Sequence, residues 1–64
     1  MYTIGVQEYL ILEHKINLIS EYIDEFIGAD YEIEEFSITI FDITQSEHEA
    51  LRAYISKHHA WGYL

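Results

Sequence analysis

The sequence predicts a small single domain of the α/β or α+β class, with one long amphipathic helix and one short helix packed on a two- or three-stranded sheet. Three observations predict it. Tyr9, Leu12, Ile16, Ile19, Ile23 and Phe26 recur at alternating spacings of three and four, the period of one helix face. Residues 35–41 alternate polar and apolar side chains, the period of a strand with one wet side. Ser46 followed three residues later by Glu49 has the pattern of a helix start.

Taken in order, Tyr2-Thr3-Ile4-Gly5-Val6 alternates as a short strand would. The long helix is expected over residues 8–27. Ile11, Leu18, Tyr22 and Ile27 widen its apolar half, and the other half holds Glu13, His14, Asn17, Ser20, Glu21, Asp24 and Glu25. Gly28 supplies the left-handed residue that commonly ends a helix. A rival reading makes residues 9–13 a strand, because Tyr-Leu-Ile-Leu is short and apolar; the unbroken seam through Phe26 weighs against it. In the alternating segment Phe36, Ile38 and Ile40 share one face, while Glu35, Ser37 and Thr39 share the other. The second helix starts at the Ser46–Glu49 capping box and carries a narrower stripe of Ala50, Leu51, Tyr54, Ile55 and His58. Glu49 and Arg52 stand one turn apart and can pair. The apolar tail, residues 60–64, is expected to return as a short strand or to pack under the first helix. Two or three strands give meagre cover for so wide a helix face. An exposed edge or flank, hidden by a homodimer, belongs to this expectation.

Composition narrows the function classes. Sixty-four residues make one domain, residues 1–64. A chain this short buries only about 60% of the surface its unfolded form exposes. Cysteine is absent, which removes disulfides and thiolate metal sites and fits a reducing compartment. Half of the chain is apolar, too much for a disordered acidic tail in spite of the net charge of −9. No stretch approaches the roughly 20 apolar residues of a membrane span, and no basic region precedes an apolar core at the start. A soluble cytoplasmic protein is expected. Twelve acids face three basic residues, Lys15, Arg52 and Lys57. Direct binding of nucleic acid or of a membrane is therefore disfavoured, and a basic protein surface is the favoured partner.

Residues 21–35 hold seven acids and no base: Glu21, Asp24, Glu25, Asp30, Glu32, Glu34 and Glu35. Glu21, Asp24 and Glu25 fall in the last turns of the expected helix, where acids cost about 0.3–1 kcal/mol each at low salt. As like charges three and four apart they also repel one another. Charge placed where it opposes folding points to recognition, whereas solvation of an apolar body is the plain alternative. Helix neighbours four apart rise about 6 Å, and alternate residues of a strand advance about 6.7 Å. Every second phosphate of a DNA strand, at about 3.4 Å each, falls in the same range. Such a row could imitate a nucleic-acid backbone.

No cofactor or metal is expected. His48 and His58 are ten apart, and the adjacent His58 and His59 diverge, so no helical zinc pair forms. Asp30 to Glu35 offers only part of a calcium loop. Catalysis is not expected either: the chain lacks a cysteine nucleophile, a Gly-rich phosphate loop and a serine elbow. Six tyrosines, three phenylalanines and one tryptophan are many for this length, and Tyr and Trp often anchor interfaces. Tyr31, amid the acids, and the Trp61/Tyr63 pair are the anchor candidates.

In size, acidity and aromatic content the chain resembles, at the level of class only, phage or mobile-element inhibitors that block host nucleic-acid machinery. Some of those imitate DNA, and anti-CRISPR proteins are one such group. The resemblance implies a non-enzymatic inhibitor, acting in the host cytoplasm if phage-encoded, that occupies a basic nucleic-acid-binding surface through residues 21–35. The alternative is a homodimeric structural or regulatory module, antitoxin-like, in which acidity only aids solubility.

Overall fold

The computed structural model describes residues 3–62. The chain is α+β, a three-stranded antiparallel sheet with two helices. Strand β1 covers Gln7–Leu10 and is followed by a 3-10 turn at Glu13–Lys15. Helix α1 covers Ile16–Tyr22 and runs on into a π turn at Ile23–Ile27. Strands β2, Tyr31–Ile33, and β3, Ser37–Ile40, form a hairpin, and helix α2 covers Gln45–Lys57. The sheet order is β1-β3-β2, with both outer strands antiparallel to β3. β1 and β2 therefore run parallel with β3 inserted between them, a split β-α-β arrangement.

The expected helix over 8–27 is half right. Its body from Ile16 holds, but Gln7–Leu10 form a strand and Ile11 a further bridge, so the rival strand over 9–13 is met at residues 9–11 only, a 3-10 turn beginning at Glu13. Tyr9 and Ile11 are buried while Leu10 is exposed, so the burial period here is two. The cause lies elsewhere in the chain. β3 is a central strand whose second row of backbone groups needs partners, and β1 supplies them. The seam fails again at its far end, where Phe26 is 68% exposed. Gly28 N–H bonds the Ile23 carbonyl five residues back, at 2.7 Å. That wider turn rotates Phe26 outward and leaves Ile27 against the core. Gly28, at φ 72°, ends the helix in the left-handed conformation as expected.

The expected face of the second strand is also corrected. Ile38 and Ile40 are fully buried, but Phe36 lies in the hairpin turn and is exposed. The start of α2 moves by two residues. Thr44, not Ser46, is the N-cap: its hydroxyl accepts from Glu47 N–H, and Glu47 Oε1 accepts from Thr44 N–H, both at 3.2 Å. Thr44-x-x-Glu47 has the same spacing as Ser46-x-x-Glu49. The fully buried Ile43 decides between them by fixing where the chain leaves the core. Glu49 accepts from Gln45 Nε2 at 2.7 Å instead of pairing with Arg52.

Thr3 to Val6 is not a strand; Ile4 N–H bonds Ile43 carbonyl, and the chain turns at Gly5, φ 84°. Tyr2 lies outside the described residues. The tail does return along β1. Leu12 N–H bonds Ala60 carbonyl, Gly62 N–H bonds Leu10 carbonyl, and Ile11 bridges Trp61. Tyr63 and Leu64 lie outside the described residues.

Both helices cover one face of the sheet. Tyr22 of α1 stacks on Tyr54 of α2, centroids 4.0 Å apart, and Tyr9 of β1 meets His48 of α2. Between the layers lie Ile11, Ile19, Ile23, Ile38, Ile40, Ile43, Leu51 and Ile55, each with no exposed surface. The opposite face carries Glu8 and Leu10 of β1, Ser37 and Thr39 of β3, and Glu32 of β2, and of these Glu8, Leu10 and Glu32 are exposed. Among the described residues no helix is long and apolar enough to cross a membrane.

Candidate functional site

All seven acids of residues 21–35 are exposed. Glu21 belongs to α1, and Asp24 and Glu25 to the π turn. Asp30 precedes β2, Glu32 is its central residue, and Glu34 and Glu35 form the hairpin turn. They do not lie on one flat face. Glu32 projects on the bare side of the sheet, whereas Glu21, Asp24 and Glu25 belong to the helix layer. Asp30, Glu32, Glu34 and Glu35 belong to or flank β2, an outer strand of the sheet. One contact closes the helix layer onto that edge: the Tyr31 hydroxyl donates to Asp24 Oδ1 and Oδ2 at 3.0 and 3.1 Å. Removal from water and the Asp24 carboxylate both push the Tyr31 phenol above its ordinary range, so it stays a donor. Tyr31 is thus a half-buried brace more than a projecting anchor.

The hydrogen-bond phase of the hairpin leaves β2 open on its outer side. Glu34 N–H bonds Ser37 carbonyl and Phe41 N–H bonds Asp30 carbonyl. With the register Glu32 opposite Thr39, residues 30, 32 and 34 face β3, and the backbone groups of Tyr31 and Ile33 face away from it. Ile33 and Phe36 are about half exposed beside them. Glu8 is an acid that the helical reading hid. In register with Thr39, which is in turn opposite Glu32, it extends the negative charge across the bare face.

Trp61 is not brought together with the acids. The sheet order places it against β1, at the opposite edge from β2. Its indole N–H donates to Ser56 Oγ at 2.9 Å, and the Arg52 guanidinium lies 5.8 Å from the ring centre.

Beside it, β1, α2 and Trp61 enclose a cleft of about 310 Å³ that reading the sequence missed. Tyr9, His48 and Arg52 converge there. Tyr9 is 3% exposed, and burial pushes its phenol up to about 12, against a smaller opposite pull from Arg52. The Tyr9 hydroxyl and His48 Nδ1 share a hydrogen bond of 2.6 Å, and His48 Nε2 has no hydrogen-bond partner among the described residues. His48 and Arg52 are four apart on α2, the one trace of this cleft in the sequence; Tyr9 could not be joined to them while it was read as helix. Among the described residues no cluster of three His, Cys, Asp or Glu could hold a metal ion. Comparison with family models, with curated proteins and with solved structures finds no match.

Proposed function

We propose that this chain is a non-enzymatic binding protein whose acidic β2 edge occupies a basic, nucleic-acid-binding surface of another protein and thereby inhibits it. The observation that carries this reading is that every carboxylate of residues 21–35 is exposed, with no basic residue among them, and that four of the seven belong to or flank the edge strand β2. A basic channel gains from such a ridge in two ways. Long-range attraction speeds encounter, and desolvated carboxylate contacts with Lys and Arg fix the register. The placement also opposes folding: Asp24 and Glu25 sit in the final turn, where carbonyl ends disfavour anions. Solvation alone would be served as well by acids elsewhere. The class resemblance to phage and mobile-element inhibitors, anti-CRISPR proteins included, agrees with this reading.

A second reading, a homodimeric module, is favoured by one observation. Phe26, Ile33 and Phe36 are exposed in the same part of the chain as the open backbone groups of β2.

The test of the leading reading is capture from a host lysate at low and at moderate salt. The unmodified chain is expected to hold a basic protein that is released as salt rises. A variant carrying Glu21→Lys, Asp24→Lys, Glu32→Lys and Glu34→Lys, checked for its fold by circular dichroism, is expected to lose that protein. If the folded, charge-reversed chain captured the same partner, the reading would be wrong.

A further inference from the structure

We propose that the cleft between β1 and α2 is a binding site for a small oxyanion, a carboxylate or phosphate group, held by the Arg52 guanidinium beside His48, with the ligand body against Trp61. The site is independent of the acidic edge, since β1 and β2 are opposite edges of the sheet.

Three observations carry it. First, two polar side chains face the cleft with groups still open. The Arg52 guanidinium carbon lies over the Trp61 ring, 5.8 Å from its centre, and the N–H groups of a guanidinium can fork onto a planar or tetrahedral oxyanion. His48 is fixed through its Nδ1 contact with the Tyr9 hydroxyl, and its Nε2 has no hydrogen-bond partner among the described residues. Second, Arg52 has no carboxylate partner among the described residues, in a chain with twelve acids and three bases. Glu49, one turn away, is engaged by Gln45 instead. Glu8 and Leu10 both border the cleft from the exposed face of β1, and Glu8 is the carboxylate at its rim. Third, the cleft joins these side chains to an apolar wall. Leu10 and Trp61 line it, and its volume of about 310 Å³ falls at the small end of the range of ligand sites, about 300–1,000 Å³. A few convergent polar groups against an apolar wall are the usual make-up of such sites.

The experiment is a ¹H–¹⁵N NMR titration of the full chain, separately with inorganic phosphate and with benzoate, chloride being adjusted to keep ionic strength constant. The Trp61 indole and Arg52 side-chain signals are expected to shift and saturate with one or both probes. Saturation by phosphate alone assigns a phosphate group, by benzoate alone a carboxylate on a flat body, and by both a general oxyanion site. Arg52→Gln, an exposed position that keeps the stem, is expected to weaken the response at least tenfold while the backbone spectrum stays dispersed. Absence of saturation with both probes overturns the proposal, as does a folded Arg52→Gln chain that binds as tightly as the unmodified one.

Discussion

Tyr9 shows how much one buried phenol decides. It lies in the core at 3% exposure, and its hydroxyl reaches His48 on the other layer. Folded, it titrates near 12; unfolded, near the ordinary value of about 10. Its contribution to stability is therefore complete below about pH 10 and is lost as pH climbs from about 10 towards 12, because only the unfolded chain gains by ionising there. The loss amounts to about 2–3 kcal/mol at most. Chemical denaturation at about pH 8 and about pH 11 is expected to show this fall in the unmodified chain and a shallower one in Tyr9→Phe. At the lower pH the variant is expected to be about 1 kcal/mol less stable, having left His48 Nδ1 without its hydrogen-bond partner. Equal pH slopes for the two chains would show that the phenol is not buried as described. Gly62 makes the same point sterically: a Cβ there would lie 2.9 Å from the Ile11 carbonyl carbon, so the tail can reach β1 only through glycine.

At the scale of elements, α2 offers a sharp discrimination. Two overlapping patterns, Thr44-x-x-Glu47 and Ser46-x-x-Glu49, compete for its start, and only the first makes both reciprocal bonds. Thr44→Ala is expected to cost about 1 kcal/mol. Ser46→Ala, already inside the first turn and exposed, is expected to change stability by less than about 0.5 kcal/mol. Urea midpoints of the two variants measure the difference, and a larger loss from Ser46→Ala would restore the cap first expected from the sequence. The long helix carries the complementary lesson. Its central Ile16, Ile19 and Ile23 are buried as their spacing predicts. Its two ends depart because each is claimed by something else, Tyr9 by the sheet and Phe26 by the wider π turn.

At the scale of the molecule, charge is unevenly shared between the two sheet edges. Asp30, Glu32, Glu34 and Glu35 belong to or flank β2, whereas Arg52, Lys57 and His48 all belong to α2 and the cleft is on the β1 side. That division bears on self-association. Pairing two copies through their β2 edges would bring Asp30, Glu32 and Glu34 of each against their counterparts, and like charges opposite one another are destabilising. Light scattering at low salt is accordingly expected to give the mass of one chain, 7.6 kDa. A doubled mass that survives dilution at low salt would favour the homodimeric module over the acidic-edge reading.

Local pattern was sufficient for a small mixed domain of the α/β or α+β class, the body of α1, the strand around Ile38 and Ile40, the Gly28 stop and the surplus of carboxylates. Each of these depends on neighbours within a few residues, and spacing reports such neighbours directly. Pairing partners decided the rest. Residues 7–10 became a strand because β3, some thirty positions later, presents unpaired backbone groups. The same event put Tyr9 beside His48, moved Glu8 onto the bare face and brought the tail to β1, so the cleft exists only after the chain closes. The short apolar run Tyr9-Leu10-Ile11-Leu12 suits either conformation, and hydrogen bonding to a distant strand is what selects between them.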